Sequence, residues 1–457
     1  MSQLLSEKEQ KMSNGFLLPL LAIAVPAALQ NFVFSAQQVL DTIMVARLND
    51  EYVAALAFCG AAFLVITSSL FGIALATSAL VAQHWGAIDY ARMRSYLFLG
   101  IALSMLVAVP AVVLFVGFPE LLMSLGPDSI QVRNAGVEYL QIAGWSILLW
   151  PISVGLSMAL NMIGQARLSL LISVAFAVIT IVSNYVLIFG WGPIPKLEIR
   201  GAAFGTLGTS VLFAGVYLLF VLRPNNALRF SSRELSSTIT LPLIRKLIAQ
   251  STPLFINGTL WAGGLFTYNV IFSQLGTAGM TVIALLAPII TVSLVIFNGL
   301  ATGANSVIGN ALGRKDFDYA WNCAKSAISL TLVTGACTSL CMLLLQGVLP
   351  TLYSGVSQGV FTEFESVYTI AAAFIWVRGL NIFLVNGLLR TGADNDYILK
   401  LDTISSWGIS IPLTCAAVYA FDLSLIFVYL ASLTGDFVKM IFYVARVRKR
   451  LWLRSLV

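Results

Sequence analysis

From Leu247 to Gly313 the chain carries no Asp, Glu, Lys or Arg. A helix of about 20 apolar residues crosses a bilayer core of roughly 30 Å, so this one stretch must hold two spans, with Gly276 and Gly279 marking the turn between them. Further uncharged stretches run from Ser95 to Pro119, Leu168 to Pro195, Gly201 to Leu222 and Ser326 to Thr362. Hydrophobic residues make up 59% of the chain and charged residues 10%, against roughly a quarter charged in soluble domains. That composition excludes the several soluble domains that 457 residues would otherwise suggest. It predicts an all-α integral membrane protein with spans near 16–46, 52–84, 95–118, 135–163, 168–190, 200–222, 243–274, 279–312, 324–350, 364–391, 396–420 and 423–446.

An even number of spans puts both termini on one side of the membrane, and the basic residues choose which. Of the 26 Lys and Arg, twenty fall in the termini and one set of loops, among them Lys8, Arg92, Arg167, Arg229, Lys315, Lys400 and Arg450. The opposite set holds four: Arg47, Arg133, Lys196 and Arg200. The positive-inside rule therefore places both termini in the cytoplasm of a plasma (bacterial inner) membrane protein. The polar start, with Glu7, Lys8, Glu9 and Lys11, lacks the short apolar core of a cleavable signal, so the first span is expected to be retained. The net charge of +6 belongs to these loops and implies no nucleic-acid partner. Cys59, Cys323, Cys337, Cys341 and Cys415 contain no C-x-x-C, and His84 is the only histidine, so the sequence offers no metal-ligand cluster.

The chain also repeats. A shift of 227 residues lays Ala22 on Ala249, Pro26 on Pro253, Gly72 on Gly299, Gly86 on Gly313 and Asp89 on Asp316, and a shift of 228 lays Gly164 on Gly392. The expected organisation is a cytoplasmic N-terminus (1–15), an N-lobe of six spans (16–222), a cytoplasmic linker (223–242), a C-lobe of six spans (243–446) and a cytoplasmic tail (447–457). Two six-span halves share one orientation and are related by an axis along the membrane normal, an arrangement typical of alternating-access transporters.

An ionisable group inside a span is a functional hypothesis by default. In the first half that group is Asp41. It lies six residues before Arg47, or ~9 Å along a helix, in the outer part of the membrane. Tyr139, Thr206 and Asn184 are placed at a similar depth, and Thr180 with Asn184, like Gln37 with Asp41, are four apart on one helix face. Such a set could hold a proton or a small cation. The competing reading is that Asp41 reaches the outer interface and pairs with Arg47. Pro26, in the body of the first span, is either a hinge or a static kink. The second half has no equivalent acid: Asp41 falls on Tyr268, and Trp261 lies nearby on the same span. Arg378 is either a structural cation capped by carbonyls or a cavity residue that disfavours cations. Asp436 and Lys439, three apart on the last span, read as an intrahelical pair. Asp89 and Asp316 read as helix caps.

The stretches GIALATSALVAQHWGAID (72–89), SNYVLIFGWGPIP (183–195), RGAAFGTLGTS (200–210) and GLLRTGADND (387–396), with DTIMVARL (41–48), resemble the multidrug and toxic compound extrusion transporters. The resemblance covers essentially the whole chain. It implies twelve helices in two pseudo-symmetric lobes, export of bulky and often cationic organic compounds, and a proton or sodium gradient as the driving force. It also implies an ion site around the first-helix aspartate, and here Thr180 stands where an asparagine is more familiar. Hard cations want several oxygen ligands, ideally with carboxylates, so one carboxylate favours H+ over Na+ as the coupling ion. The second half has no acid at Trp261 and a cation at Arg378, so no sodium site is expected there. Drug-like small molecules and membrane lipids are the expected partners of a monomer without organic cofactor. A related lipid-linked oligosaccharide flippase would need many cavity cations, where Arg378 is nearly alone. An intramembrane enzyme would need clustered Asp, or a Ser/His or metal constellation, which the chain lacks.

Overall fold

The computed structural model describes all residues except 1, 127–128, 194, 225, 230, 232–233, 235–236 and 353–356. Part of the expected linker therefore lies outside the described residues. The described chain is helical almost throughout and forms twelve membrane-length segments. These are α1 (Ser2–Ala46), α2 (Asp50–Gly86), α3 (Tyr90–Val112, extended by a π turn Val113–Gly117), α4 (Ile130–Ala143 and Ser146–Met162), α5 (Ala166–Phe189) and α6 (Glu198–Val221). The second series is α7 (Leu241–Ser273), α8 (Gly276–Gly313), α9 (Phe317–Leu345), α10 (Gln358–Phe383, extended by Leu384–Leu389), α11 (395–420) and α12 (Leu425–Arg448).

Nine of the described helices are long and apolar enough to cross a membrane singly, and the two parts of α4, bent by 51°, make a tenth. The remaining two have physical reasons to look weaker. α7 begins with Arg245 and Lys246 and carries Asn257, Thr259 and Asn269 along its length. α11 is assembled from short α and π turns around Pro412, whose ring cannot donate to the ladder.

The internal repeat is visible in the loops as well as the helices. Ile88 and Lys315 both take φ 62°, a left-handed conformation uncommon for residues with a Cβ. Each is followed by an aspartate that caps the next helix: Asp89 accepts from the Arg92 amide at 3.2 Å, and Asp316 from the Tyr319 amide at 3.1 Å. The same turn is thus built twice, 227 residues apart.

Packing divides the chain into two units whose bounds differ from the sequence halves. One unit comprises Gln30–Thr259; the other comprises Met1–Leu29 with Leu260–Val457. The unit change in α1 falls three residues after Pro26, and that in α7 six residues after Pro253. In the first unit a core of Met93, Leu97, Leu156, Leu160, Phe213 and Tyr217 holds α3, α4 and α6 together. The start of α7 lies so close to α2 that a Cβ on Gly72 would come within 2.7 Å of the Phe255 amide nitrogen. The second unit packs Phe364, Val367, Ile375, Val428 and Leu433 between α10 and α12. It seats the start of α1 on α8 in the same manner: a Cβ on Gly299 would come 2.5 Å from the Ala24 carbonyl oxygen. Small residues at such crossings let helix backbones approach where no hydrophobic drive separates protein from lipid.

Candidate functional site

Asp41 lies on α1 in the first unit, and its carboxylate Oδ1 accepts a 2.8 Å hydrogen bond from Asn184 Nδ2 on α5. Gln37, one turn earlier on α1, also hydrogen-bonds the carboxyl. Asn184 is buried, and it fits only because Gly205 on α6 has no side chain: a Cβ there would overlap the Asn184 amide oxygen. Tyr139 on α4 and Thr206 on α6 pair through their hydroxyls, with Tyr139 in electrostatic reach of Asp41. The Thr206 proton goes to the Ala202 carbonyl at 2.9 Å. Thr180 is buried one turn from Asn184, but its hydroxyl donates to the Phe176 carbonyl at 2.9 Å.

Two features give this site its chemistry. Arg47 is exposed, and no Asp41–Arg47 ion pair forms among the described residues, so the carboxyl faces neutral amides only. The amide oxygens of Gln37 and Asn184 are both buried without a hydrogen-bond donor. An unsatisfied buried acceptor costs about 1–3 kcal/mol. A carboxyl proton, a water or a bound cation would each relieve that cost. On the side toward Arg47 the site is closed by Val45, Ile188 and Ala202, with Leu48, Tyr52 and Phe189 packed on them.

A second polar cluster escaped the sequence reading. Eleven residues before Asp41, Gln30 Nε2 donates to Ser157 Oγ at 2.7 Å and to Ser173 Oγ at 2.8 Å, and Ser157 and Ser169 share a 2.8 Å bond. All four residues are buried. Serine is common in membrane helices, so only the glutamine was a signal. Pro26 is buried in α1, which stays helical through it.

In the second unit the repeat partner of Asp41 makes a weaker version of the same crossing: Tyr268 on α7 donates to Ser410 on α11 at 2.6 Å. Trp261 is 54% exposed. The charges behave otherwise than expected. Asp436 and Lys439 are not paired along α12. Asp436 Oδ2 accepts from Arg378 Nε on α10 at 2.9 Å, and Lys439 Nζ lies 3.2 Å from Asp402 on α11. Tyr443 donates to the same Asp402 at 2.7 Å, and Arg446 grips Asp394 through two bonds of 2.6 and 2.9 Å. Arg378 is thus neither isolated nor capped by carbonyls alone. An opposite charge on a neighbouring helix outcompetes the i, i+3 partner because it comes closer, and in low dielectric that closeness decides.

The family model MatE matches residues 26–186 and again 253–415, once in each sequence half. The transporter YisQ of Bacillus subtilis, described as uncharacterized, is 24% identical over 91% of this chain and 90% of its own length. A probable multidrug resistance protein NorM of Bradyrhizobium diazoefficiens is 26% identical over 92% of this chain and 90% of its own. A crystal structure of MATE in complex with MaL6 superposes with a TM-score of 0.86 over 94% of this chain and 95% of that one, at 17% identity.

Proposed function

The chain belongs to the MatE family of transporters, and on that premise we propose that it is a secondary multidrug exporter that trades bulky, often cationic compounds for protons at Asp41. The carrying observation is a carboxyl held by two neutral amides, with no cation against it among the described residues and two donor-less oxygens beside it. A carboxyl in that setting is free to take either a proton or the charge of a cationic cargo. Both favour the same group and exclude each other, and that competition couples their movements. Protonation would let Asp41 donate to a neighbouring amide oxygen, draw α1 and α5 together, and discharge the cargo outside. Loss of the proton toward the cytoplasm would restore the anion for the next cargo. Pro26 gives α1 a point at which to bend between the two states. The multidrug resistance name of the NorM relative agrees with this reading.

A lipid-linked oligosaccharide flippase would need surplus cations to hold a diphosphate, whereas Arg378, Lys439 and Arg446 are each matched by an aspartate. Sodium remains the competing ion, since the two open oxygens of Gln37 and Asn184 are also cation ligands. The deciding experiment is dye efflux from cells or everted vesicles with the proton and sodium gradients collapsed separately. Asp41→Asn removes the titration while keeping shape and hydrogen bonds. We expect gradient-driven efflux to fall to background in an inserted, normally expressed protein; full efflux overturns the mechanism. The orientation is part of the proposal. In intact cells a cysteine at Lys196 reacts with an impermeant thiol reagent and one at Arg229 does not; the opposite pattern inverts the topology.

A further inference from the structure

Arg378 stands twelve residues before Arg390, just past the end of α10, and Asp436 stands twelve before Arg448 on α12, at most about 18 Å in each case. Both therefore sit near the middle of a bilayer core roughly 30 Å thick. Ionisable groups at that depth face the bundle interior or a water-filled cavity, not lipid. Three other ion-paired arginines of the described chain hold their partners through two or more hydrogen bonds. Arg446 uses two nitrogens on Asp394, Arg200 two on Glu138, and Arg94 bonds both Glu234 oxygens and the Ala227 carbonyl. Arg378 meets Asp436 through Nε alone, and Tyr429 is its other hydrogen-bonding neighbour. Its side chain stays 27% exposed.

Nε donates to Asp436, so the Tyr429 hydrogen bond falls to a terminal N–H, and the remaining terminal N–H groups make no hydrogen bond to Asp436. A guanidinium fork matches a carboxylate in planarity and spacing and binds it through two parallel bonds. The group is also fixed in place: Asn381 donates to the Asp436 carbonyl at 2.8 Å, tying α10 to α12 beside it. Tyr268 and Tyr429 lie in its electrostatic reach, and Phe374, one turn before it on α10, packs edge-on against Phe437, the residue after Asp436, at 5.2 Å. Lys439, one turn further along α12, is engaged by Asp402, so it neither replaces nor competes for the role.

We propose that Arg378 is an acid-accepting subsite of the second half, which takes the carboxylate of an aromatic cargo on its remaining terminal N–H groups. The proposal rests on the exporter reading and narrows it: the accepted compounds include aromatic acids and zwitterions as well as cations. Asp436 neutralises the arginine when no acid is present and holds it in place when one is.

The test uses rhodamine B, which carries a free carboxylate, and its ethyl ester, which does not. Affinities of the purified full-length protein for both dyes are read by fluorescence polarisation, beside efflux from cells. In the unaltered protein benzoate displaces rhodamine B and leaves the ester bound. In Arg378→Gln/Asp436→Asn, which leaves no unpaired charge behind, the acid-to-ester affinity ratio falls by about tenfold or more. Arg378→Lys, which keeps the charge but not the fork, falls in between. An unchanged ratio in a folded double variant, or displacement of both dyes alike by benzoate, overturns the proposal and leaves the exporter reading standing. If the unaltered protein exports the ester but binds no rhodamine B, the subsite falls alone; if it binds and exports neither dye, the exporter reading falls with it.

Discussion

The two halves share a backbone plan and solve the problem of buried polarity in opposite ways. The first keeps one acid, Asp41, among amides and hydroxyls, and leaves two acceptor oxygens open beside it. The second places Asp402, Asp436, Arg378 and Lys439 in the same span interiors and cancels them in pairs. At a shift of 228 residues Asp402 falls on Val174, Asp436 on Gly208 and Lys439 on Val211, so the paired charges have no counterpart in the first half. A charge matched by a bonded partner is held in one state; a carboxyl matched only by neutral groups can change state. On the proposed reading, ion exchange falls to the first half and a fixed electrostatic frame to the second.

The largest effect should come from breaking that frame. Removing one member of a buried pair strands the other charge and costs about 3–5 kcal/mol. Asp402→Ala would strand Lys439 and deprive Tyr443 of its acceptor. Its denaturation midpoint in detergent should drop sharply, while Asp41→Asn in the first half should change stability by less than about 1 kcal/mol. Equal losses at both positions would erase the distinction between a structural and an exchangeable carboxylate.

A middle-sized effect tests whether the Asp41 site depends on its support from α6. Gly205→Ala would push a methyl into the Asn184 amide, at a cost of about 1–3 kcal/mol for overpacking. Asn184 would be displaced from Asp41, so gradient-driven efflux should fall about tenfold if some 1.4 kcal/mol of coupling is lost. Gly208→Ala, one turn along the same helix with nothing within 4 Å of its Cβ, should leave efflux unchanged. Matching efflux in the two variants would remove Asn184 from the mechanism.

Much of this was legible beforehand, for identifiable reasons. The spans announce themselves by the absence of charge, and their ends lie within a few residues of the expected ones except at the start of α1, which is already helical at Ser2, and at α3, α4, α9 and α10, whose first turns begin about five to seven residues early and take in charged residues such as Arg92, Arg133 and Glu363. That Asp41 and Asn184 lie at one level was readable, because their depths could be counted from Arg47 and from the loop after α5; that they bond each other was not. The pairing of Asp436 with Arg378 was not readable, since sequence spacing reveals neighbours along one helix and says nothing of which helices adjoin. For the same reason the repeat located the halves of the sequence but not the packing units. Helix crossings such as those at Gly72 and Gly299 accompany the change of units partway along α1 and α7.

The smallest effect separates two threonines that the sequence placed in one network. Thr180 and Thr206 each donate to the carbonyl four residues earlier, at 2.9 Å, so neither hydroxyl has a proton to spare for the proposed ion site. They differ in what they accept. Thr206 is the partner of the Tyr139 phenol beside Asp41, whereas Thr180 has no such partner among the described residues. Valine keeps the shape of threonine and removes the hydroxyl. Thr206→Val therefore strands a phenol within electrostatic reach of the carboxyl, a loss of about 1–3 kcal/mol if Tyr139 finds no other acceptor, and should shift the pH at which efflux is half-maximal. Thr180→Val breaks only a bond internal to α5, worth about 1 kcal/mol or less, and should leave both the pH profile and the rate close to the unaltered protein. Efflux kinetics across a pH series for the two variants decide between them. A large loss in Thr180→Val would make its hydroxyl oxygen a direct ligand of the coupling ion, and would move the balance from proton toward sodium, because a cation uses that lone pair and a proton on Asp41 does not.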